Sequence, residues 1–463
     1  MICVSTVEPH WACNAPAAFA FSPLTSPTSR PELRMIPDTK IVERQPDART
    51  VDGVVGAPAV AREPEQEALS SRLLRDYDAG AFFFASPKRT MLARGVFATV
   101  PDAGGANSLD GLPERVAAVL NASRDAAHDI PVAVGAVPFD GKVPAHLVVP
   151  MTIQRAGPMV FDGAAAARSP LAGQYTLRPV PEPSAYKDGV AAALKLMQEG
   201  PLRKVVLSRS LHVDTAAPVD LRQLLHNLAR RNPHGYTFAV DLPQHADAAP
   251  GAGRRTLIGA SPELLVARSG LQVMANPLAG SAARSADPVE DQARATRLMA
   301  SPKDLHEHAV VIDAVAEALR PFCKTLDVPK GPSLVSTQTM WHLSTRITGE
   351  LKDPSITSLT LALAMHPTPA VCGHPTALAH EAIGNIEPFH RGYFTGTVGW
   401  CDANGDGQWA VTIRCAEADD RTLRLFAGAG IVVGSTPEAE LAETEAKFRT
   451  MLQAMGLGLE VQP

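Results

Sequence analysis

The chain has 463 residues, 45% hydrophobic and 20% charged, with a formal net charge of −5. This is the composition of an ordinary soluble globular protein, and the mild acidity with no long Lys/Arg cluster gives no basis for a nucleic-acid partner. By length alone about three domains are expected. The cysteines (Cys3, Cys13, Cys323, Cys372, Cys401 and Cys415) show no C-x-x-C spacing, which argues against a zinc ribbon or redox pair and suits a reducing cytosol.

Residues 1–68 are Pro/Ser/Thr-rich without sustained periodicity and are expected to form a disordered N-terminal extension, with Met35 a candidate start. No basic n-region followed by an apolar run marks a secretory signal there. From about Asp76 the pattern turns globular: "FFFASPKRTMLARGVFATV" reads as hairpin strands and "PVAVGAVPFD" as another strand. Residues 184–199 carry helical periodicity and end at Gly200. "RKVVLSRSLHV", "GYTFAVDL" and "RTLIGASPELLVARSGLQVMANP" are strand-like, and helices are predicted over about 288–320 with a break at Pro302. Residues 354–380 lack Asp, Glu, Lys and Arg but are punctuated by prolines, so they predict a short helix over about 355–365 and then a loop, not a membrane span. Residues 393–433 predict a three-stranded antiparallel meander, with turns at the Asn-Gly/Asp-Gly cluster and at Ala418–Arg421. A helix over about 437–455 closes the pattern. Strands and helices interleave without a βαβ rhythm, so the expected class is α+β with large antiparallel sheets.

Two motifs fail on inspection. "DANGDG" (402–407) opens like a calcium loop, but the twelfth position is Ile413 where a bidentate Glu is needed. "GAGIVVG" (428–434) places Val433 in the last glycine slot of a dinucleotide fingerprint, with no βαβ unit after it; bare glycines could instead admit a ligand to the backbone.

"KDLHEH" (303–308) resembles a metal box. Ser301 and Pro302 start a helix there, which makes Asp304 a capping-turn acid. His306 shares a stripe with Val310, Asp313 and Glu317, whereas Glu307 lines up with Val311 and Ala314, the packed side. The two histidines are about 200° apart around the helix and cannot chelate one ion together. His308 reads as a hydrogen-bonded core histidine, and Glu307 as a carboxylate whose burial costs several kcal/mol unless it is paired or metal-bound. On the last helix, started by Ser435-Thr436-Pro437-Glu438, Glu440, Glu443 and Lys447 share one face. That face reads either as a solvated salt-bridge face or as oxygen ligands suited to Mg²⁺.

Ten ordered blocks carry a resemblance: "KVVLSR" (204–209), "GASPELL" (259–265), "PLAGSAAR" (277–284), "KDLHEH" (303–308), "MWHLSTRITGEL" (340–351), "HPTPAVCG" (366–373), "EPFHRGYFTGTVGW" (387–400), "TIRCAE" (412–417), "LFAGAGIV" (425–432) and "ELAETEAKF" (440–448). Together they resemble the chorismate-utilising enzymes, most closely the isochorismate synthases of siderophore pathways. The resemblance spans about 78–457. It implies one catalytic domain over 69–463, an α/β sandwich of large antiparallel sheets in place of three domains. It also implies a Mg²⁺-dependent, cytoplasmic and monomeric isomerase acting on chorismate, with no membrane partner.

The implied reaction is attack of water at C2 of chorismate with loss of the C4 hydroxyl. The resemblance carries the base onto Lys204, which by itself reads as a surface lysine and whose usual pKa of roughly 10.4 would have to fall. It carries the acid onto Glu263, otherwise a turn residue beside Pro262. It carries Mg²⁺ onto Glu307 and Glu443, with Glu440 and Asp304 beside them, to hold a substrate carboxylate. Arg414, on the predicted strand face of Ala410, Thr412 and Ala416, is the candidate for the other carboxylate. Gly280, Ser281, His342, Ala370, Phe394, Gly428, Gly430 and Lys447 match further substrate-pocket positions. Aminating and salicylate-forming relatives typically have Thr at the position of Ala370, and aminating ones Gln at that of Lys204, so the Lys/Ala pair favours water as nucleophile. A salicylate synthase and a non-catalytic chorismate-binding subunit are the alternatives.

Overall fold

The computed structural model describes residues 68–105, 107–124, 130–161, 171, 174–244 and 253–457. The expected extension over 1–68 therefore lies, but for its last residue, outside the described residues. All strand pairs among them are antiparallel.

A 10-stranded sheet runs in the order Gly373–His374, Lys204–Thr215, Thr422–Val432, Cys415–Asp419, Arg255–Ser261, Tyr236–Leu242, Phe82–Ala85, Thr90–Arg94, Thr152–Ala156, with Tyr175–Val180 also on Lys204–Thr215. A 9-stranded sheet runs Cys323–Asp327, Ile347–Leu351, Gln272–Asn276, Leu264–Ser269, Gly407–Val411, Thr397–Asp402, Val132–Val137, His146–Val149, Ala98–Thr99. A 3-stranded sheet joins Leu278–Ala283, Met340–Ser344 and Ser333–Ser336.

Aromatic and β-branched side chains on the facing sides, among them Phe84, Phe238, Val134 and Val398, fill the space between the two large sheets. Helices Leu69–Arg75, Leu221–Arg231 and Pro437–Ala454 pack on the other face of the 10-stranded sheet. Leu112–Arg124, Pro302–Leu319 and Ser358–Met365 cover that of the 9-stranded sheet. Helices Pro183–Glu199 and Thr376–Ile386 pack over Val205, Leu207 and Ile431. Each such Leu, Ile or Val contributes about 1.5–3 kcal/mol by leaving water. Cover on both faces explains why the strand from Lys204 begins with buried residues only.

Two of the places where the chain changes sheet lie side by side. Pro262 and Glu263 join Arg255–Ser261 to Leu264–Ser269, and Thr412–Arg414 joins Gly407–Val411 to Cys415–Asp419. The crossings are tied together: Val411 N donates to Glu263 O (3.1 Å) and Ala260 N to Arg414 O (3.0 Å).

This corrects four expectations. Residues 393–433 are not one meander, because their strands belong to two sheets. Arg414 is not in a strand: its φ of 52° is left-handed and ends the alternation that was to place it. Residues after 365 are not all loop, because Pro375 precedes the helix Thr376–Ile386. The last helix is also capped differently: Thr436, not Ser435, accepts from Ala439 N. The Asp402 carboxylate accepts from Asn404 N (2.9 Å) and Asp406 N (3.0 Å), closing a hairpin turn. No helix among the described residues is long and apolar enough to cross a membrane.

Candidate active site

One cleft gathers side chains from both crossings and from the starts of two helices. Lys204, at the head of its strand, is fully buried, not a surface lysine. Its Nζ lies 2.9 Å from Glu307 Oε1, an ion pair without hydrogen-bond geometry. Glu307 reaches it because Ser301 caps the helix, accepting from Asp304 N (3.3 Å), and the helical turn then points Glu307 inward with Val311. Gly430 makes room: a Cβ there would stand 2.1 Å from Glu307 Oε1 and 3.1 Å from Lys204 Cε. His306 is exposed and His308 is a core histidine, its ring nitrogens contacting Ala279 O (3.0 Å) and Thr345 Oγ1 (2.7 Å).

The crossings supply Glu263 and Arg414. Burial pushes the Glu263 carboxyl up to about 7, against the opposing pull of the Leu278 N–H bond (3.3 Å) and of Lys204, Arg414 and Lys447. It is therefore substantially protonated near neutrality and can donate a proton. Burial lowers Arg414 to about 10, which still leaves it charged. Its Nη2 donates to His342 Nε2 (3.4 Å), while its Nε has no partner among the described residues. A buried guanidinium with an unused N–H is a costly arrangement unless a ligand completes it. His342 is held well below its ordinary value by burial, then by Arg414 and Lys447, so it is neutral with Nε2 as acceptor.

On the last helix Glu440 and Glu443 face inward, not solvent. Glu443 takes Lys447 Nζ at 2.6 Å and Ser281 Oγ at 3.3 Å. Burial would raise Glu443, but Lys447, with Lys303 and Arg414, outweighs it and holds the carboxylate below its ordinary value. Lys447 Nζ also donates to Gly428 O (2.7 Å). Glu440 meets Lys303 Nζ at 3.2 Å, yet burial and neighbouring Glu443 push it up to about 7, and its Oε2 has no partner. Asp304 is raised by burial, with Glu307 and Glu443 adding to it. Gly280, at φ 79°, lies where a Cβ would press Asp304 Cβ at 3.2 Å.

Glu263, Gly280, Ser281, Glu307, His342, Ala370, Phe394, Arg414, Gly428, Gly430, Glu443 and Lys447 all line the cleft. Lys204, Glu440 and Asp304 do not; they stand behind Glu307 and Glu443. Lys303 escaped the sequence reading as a site residue, although it neighbours Asp304 and its ammonium is raised by four acids against the effect of burial. Its signal was a lone lysine among inward acids. With its ion pairs drawn together, the cleft measures ≈ 50 Å³, below the roughly 300–1,000 Å³ usual for small-molecule sites.

Among the described residues, no three His, Cys, Asp or Glu side chains converge as a metal site. The expected four-acid cage is thus not preassembled, because Glu307, Glu443 and Glu440 each face a lysine. The donor chemistry nonetheless fits a hard divalent cation. The donors are oxygens only, burial and then the neighbouring acids raise Asp304 and Glu440, and Glu440 Oε2 is buried without a partner among the described residues.

Fold and cleft have the character of an enzyme for a small carboxylated ring. Residues 160–456 match the family described as chorismate binding enzyme, and the chain belongs to that family. It is 57% identical over 392 residues to the isochorismate synthase DhbC of Bacillus subtilis (strain 168), covering 84% of this chain and 97% of the relative. It is 43% identical over 382 residues to the vibriobactin-specific isochorismate synthase of Vibrio cholerae, covering 82% and 92%. Among solved structures, the Bacillus anthracis protein assigned as the 2,3-dihydroxybenzoate-specific isochorismate synthase DhbC matches with a TM-score of 0.78 and 52% identity, over 84% of this chain and all 100% of that one. Anthranilate synthase component I of Streptococcus pneumoniae TIGR4 shares the fold, at a TM-score of 0.61 and 22% identity over 79% and 92%.

Proposed function

We propose that this chain is an isochorismate synthase, an isomerase converting chorismate to isochorismate for siderophore biosynthesis, the role that the names of its relatives carry. The observation that carries the mechanism is a buried acid, Glu263 at about 7, in one cleft with a guanidinium that has an unused N–H, and a buried lysine directly behind Glu307 of that cleft. Arg414 takes one substrate carboxylate in its fork, with neutral His342 fixing the guanidinium from the side. Lys204, in its neutral amine form and no longer paired to Glu307, removes a proton from water as the water oxygen bonds to C2. The ring double bonds shift, the C4–O bond breaks, and Glu263 gives its proton to the departing oxygen, which leaves as water. Ala370 and Phe394 give the ring an apolar wall, and Gly280, Ser281, Gly428 and Gly430 let it approach the backbone.

Mg²⁺, held by Glu307 and Glu443 with Glu440 and Asp304 beside them, would neutralise and anchor the other substrate carboxylate. Lys447 and Lys303 balance these acids otherwise. In this reading residues 69–463 form one catalytic domain, working as a monomer in the cytoplasm.

Chromatography of products from purified protein, chorismate and Mg²⁺ tests the reading: isochorismate is expected. Salicylate as main product without an added lyase would make the chain a salicylate synthase. Chorismate binding without turnover would make it a binding subunit.

A further inference from the structure

A second cleft, of ≈ 650 Å³, adjoins the catalytic one. Opposite residues of antiparallel strands share a sheet face, as do alternate residues along one strand. The register sets Arg178 opposite His212 and His212 opposite Arg424. Farther along the same face come Ser210 opposite Phe426, then Ser208 opposite Gly428 and Val206 opposite Gly430, which reach the catalytic cleft. Phe426 lines both clefts. Its ring stacks on Phe394 of the inner cleft (4.8 Å between centroids) and meets Phe389 of the outer one (6.1 Å).

The charges of the outer cleft are unevenly matched. Lys142 has Asp140 (3.8 Å), Arg255 has Glu417 (2.7 Å), and Arg391 has Glu387 (2.5 Å). Arg178 and Arg424 have no carboxylate within 4.0 Å among the described residues; Arg178 donates only to His212 Nδ1 (2.9 Å). His212 is held below its ordinary value by burial and by these two guanidiniums, so the row carries two like charges with a neutral ring between them. The two exposed guanidiniums stand on either side of the His212 strand, roughly 10 Å apart by strand spacing, and neither faces a carboxylate among the described residues that would neutralise it. Two guanidinium forks beside aromatic rings suit a ring-bearing dicarboxylate. The outer cleft also has the volume for one, within the roughly 300–1,000 Å³ usual for small-molecule sites.

Resting on the isochorismate synthase reading, we propose that this cleft is an outer docking site for the dicarboxylate substrate. Its carboxylates are held by Arg178 and Arg424 and its ring lies against Phe389 and Phe426, before it passes Phe426 into the catalytic cleft. The test is steady-state kinetics of the full chain with both arginines changed (Arg178→Gln with Arg424→Gln), at low and high salt. The expected result is a KM for chorismate raised about tenfold at low salt, an unchanged kcat, and a difference that shrinks as salt screens the wild type. The charge-conserving pair, Arg178→Lys with Arg424→Lys, should keep the salt dependence and recover KM only in part, because Lys supplies the charge but not the fork; a merely structural role would not require such a recovery. A wild-type KM and salt dependence in the Gln pair, or no rescue by the Lys pair, would overturn the docking site. Wild-type assays run alongside report isochorismate; its absence there would count against the functional reading instead.

Discussion

Glu263 and Glu443 share a cleft, the first buried and the second half-buried, and they are driven in opposite directions. Glu263 sits at a sheet crossing, where one backbone N–H and cations without direct contact leave burial in control, and its carboxyl rises to about 7. Glu443 sits one helical turn from Lys447, whose ammonium lies 2.6 Å away, and its carboxylate is held down. Direct contact with a cation, which Glu443 has and Glu263 lacks, separates a carboxyl that holds its proton from one held as an anion. The difference maps onto the proposed roles: acid at the crossing, cation ligand on the helix.

Removing the proton acceptor tests the acid side most severely. Lys204→Ala should cut turnover by about 10²–10⁴-fold while equilibrium titration still detects chorismate binding; near-normal turnover would remove Lys204 as base. Glu263→Gln should cost about 10²-fold and also change the pH profile. In the proposed mechanism the protonated form of Glu263 is the active one, so wild-type kcat/KM should fall as pH rises through about 7. In the Gln variant that descending limb should vanish, and its persistence would assign the limb to another group.

On the ligand side, Glu307→Gln should lose activity together with Mg²⁺ dependence. The apparent Mg²⁺ affinity should weaken about 10- to 100-fold, or ~1.5–3 kcal/mol for one charged contact. An unchanged Mg²⁺ titration would sink the ligand assignment. The smallest effects separate two glycines. Gly430→Ala drives a Cβ onto Glu307 Oε1 and should lower kcat/KM about tenfold, in line with overpacking costs of ~1–3 kcal/mol. Gly428→Ala meets the rotatable Ser208 Oγ at 2.7 Å and should cost less. Equal losses in the two would mean that Gly430 has no special tie to the Lys204–Glu307 pair.

Much of this was readable in the chain. Ser301 and Pro302 announce a helix start, and helical phase alone turns Glu307 and His308 inward and His306 outward, as the structure has them. The lack of a βαβ rhythm likewise anticipated antiparallel sheets. What local pattern could not convey is sheet membership. The stretch from Trp409 to Glu417 alternates like one strand, yet it leaves one sheet for the other at Arg414, whose left-handed backbone no alternation rule anticipates. Lys204 looked solvent-facing for a related reason: its strand face of Val206, Ser208 and Ser210 is polar, and only distant helices and a second sheet bury it. Glu263 and Lys204 were named as site residues by resemblance alone, since their burial arises from contacts remote in sequence.

The central claim is that water adds at C2 while the C4 hydroxyl departs. Turnover of chorismate in ¹⁸O-labelled water, followed by mass spectrometry of isochorismate, tests it directly. The account predicts one labelled oxygen, in the C2 hydroxyl. Isochorismate free of label would mean that the original hydroxyl migrated within the substrate, and would contradict the roles given to Lys204 and Glu263.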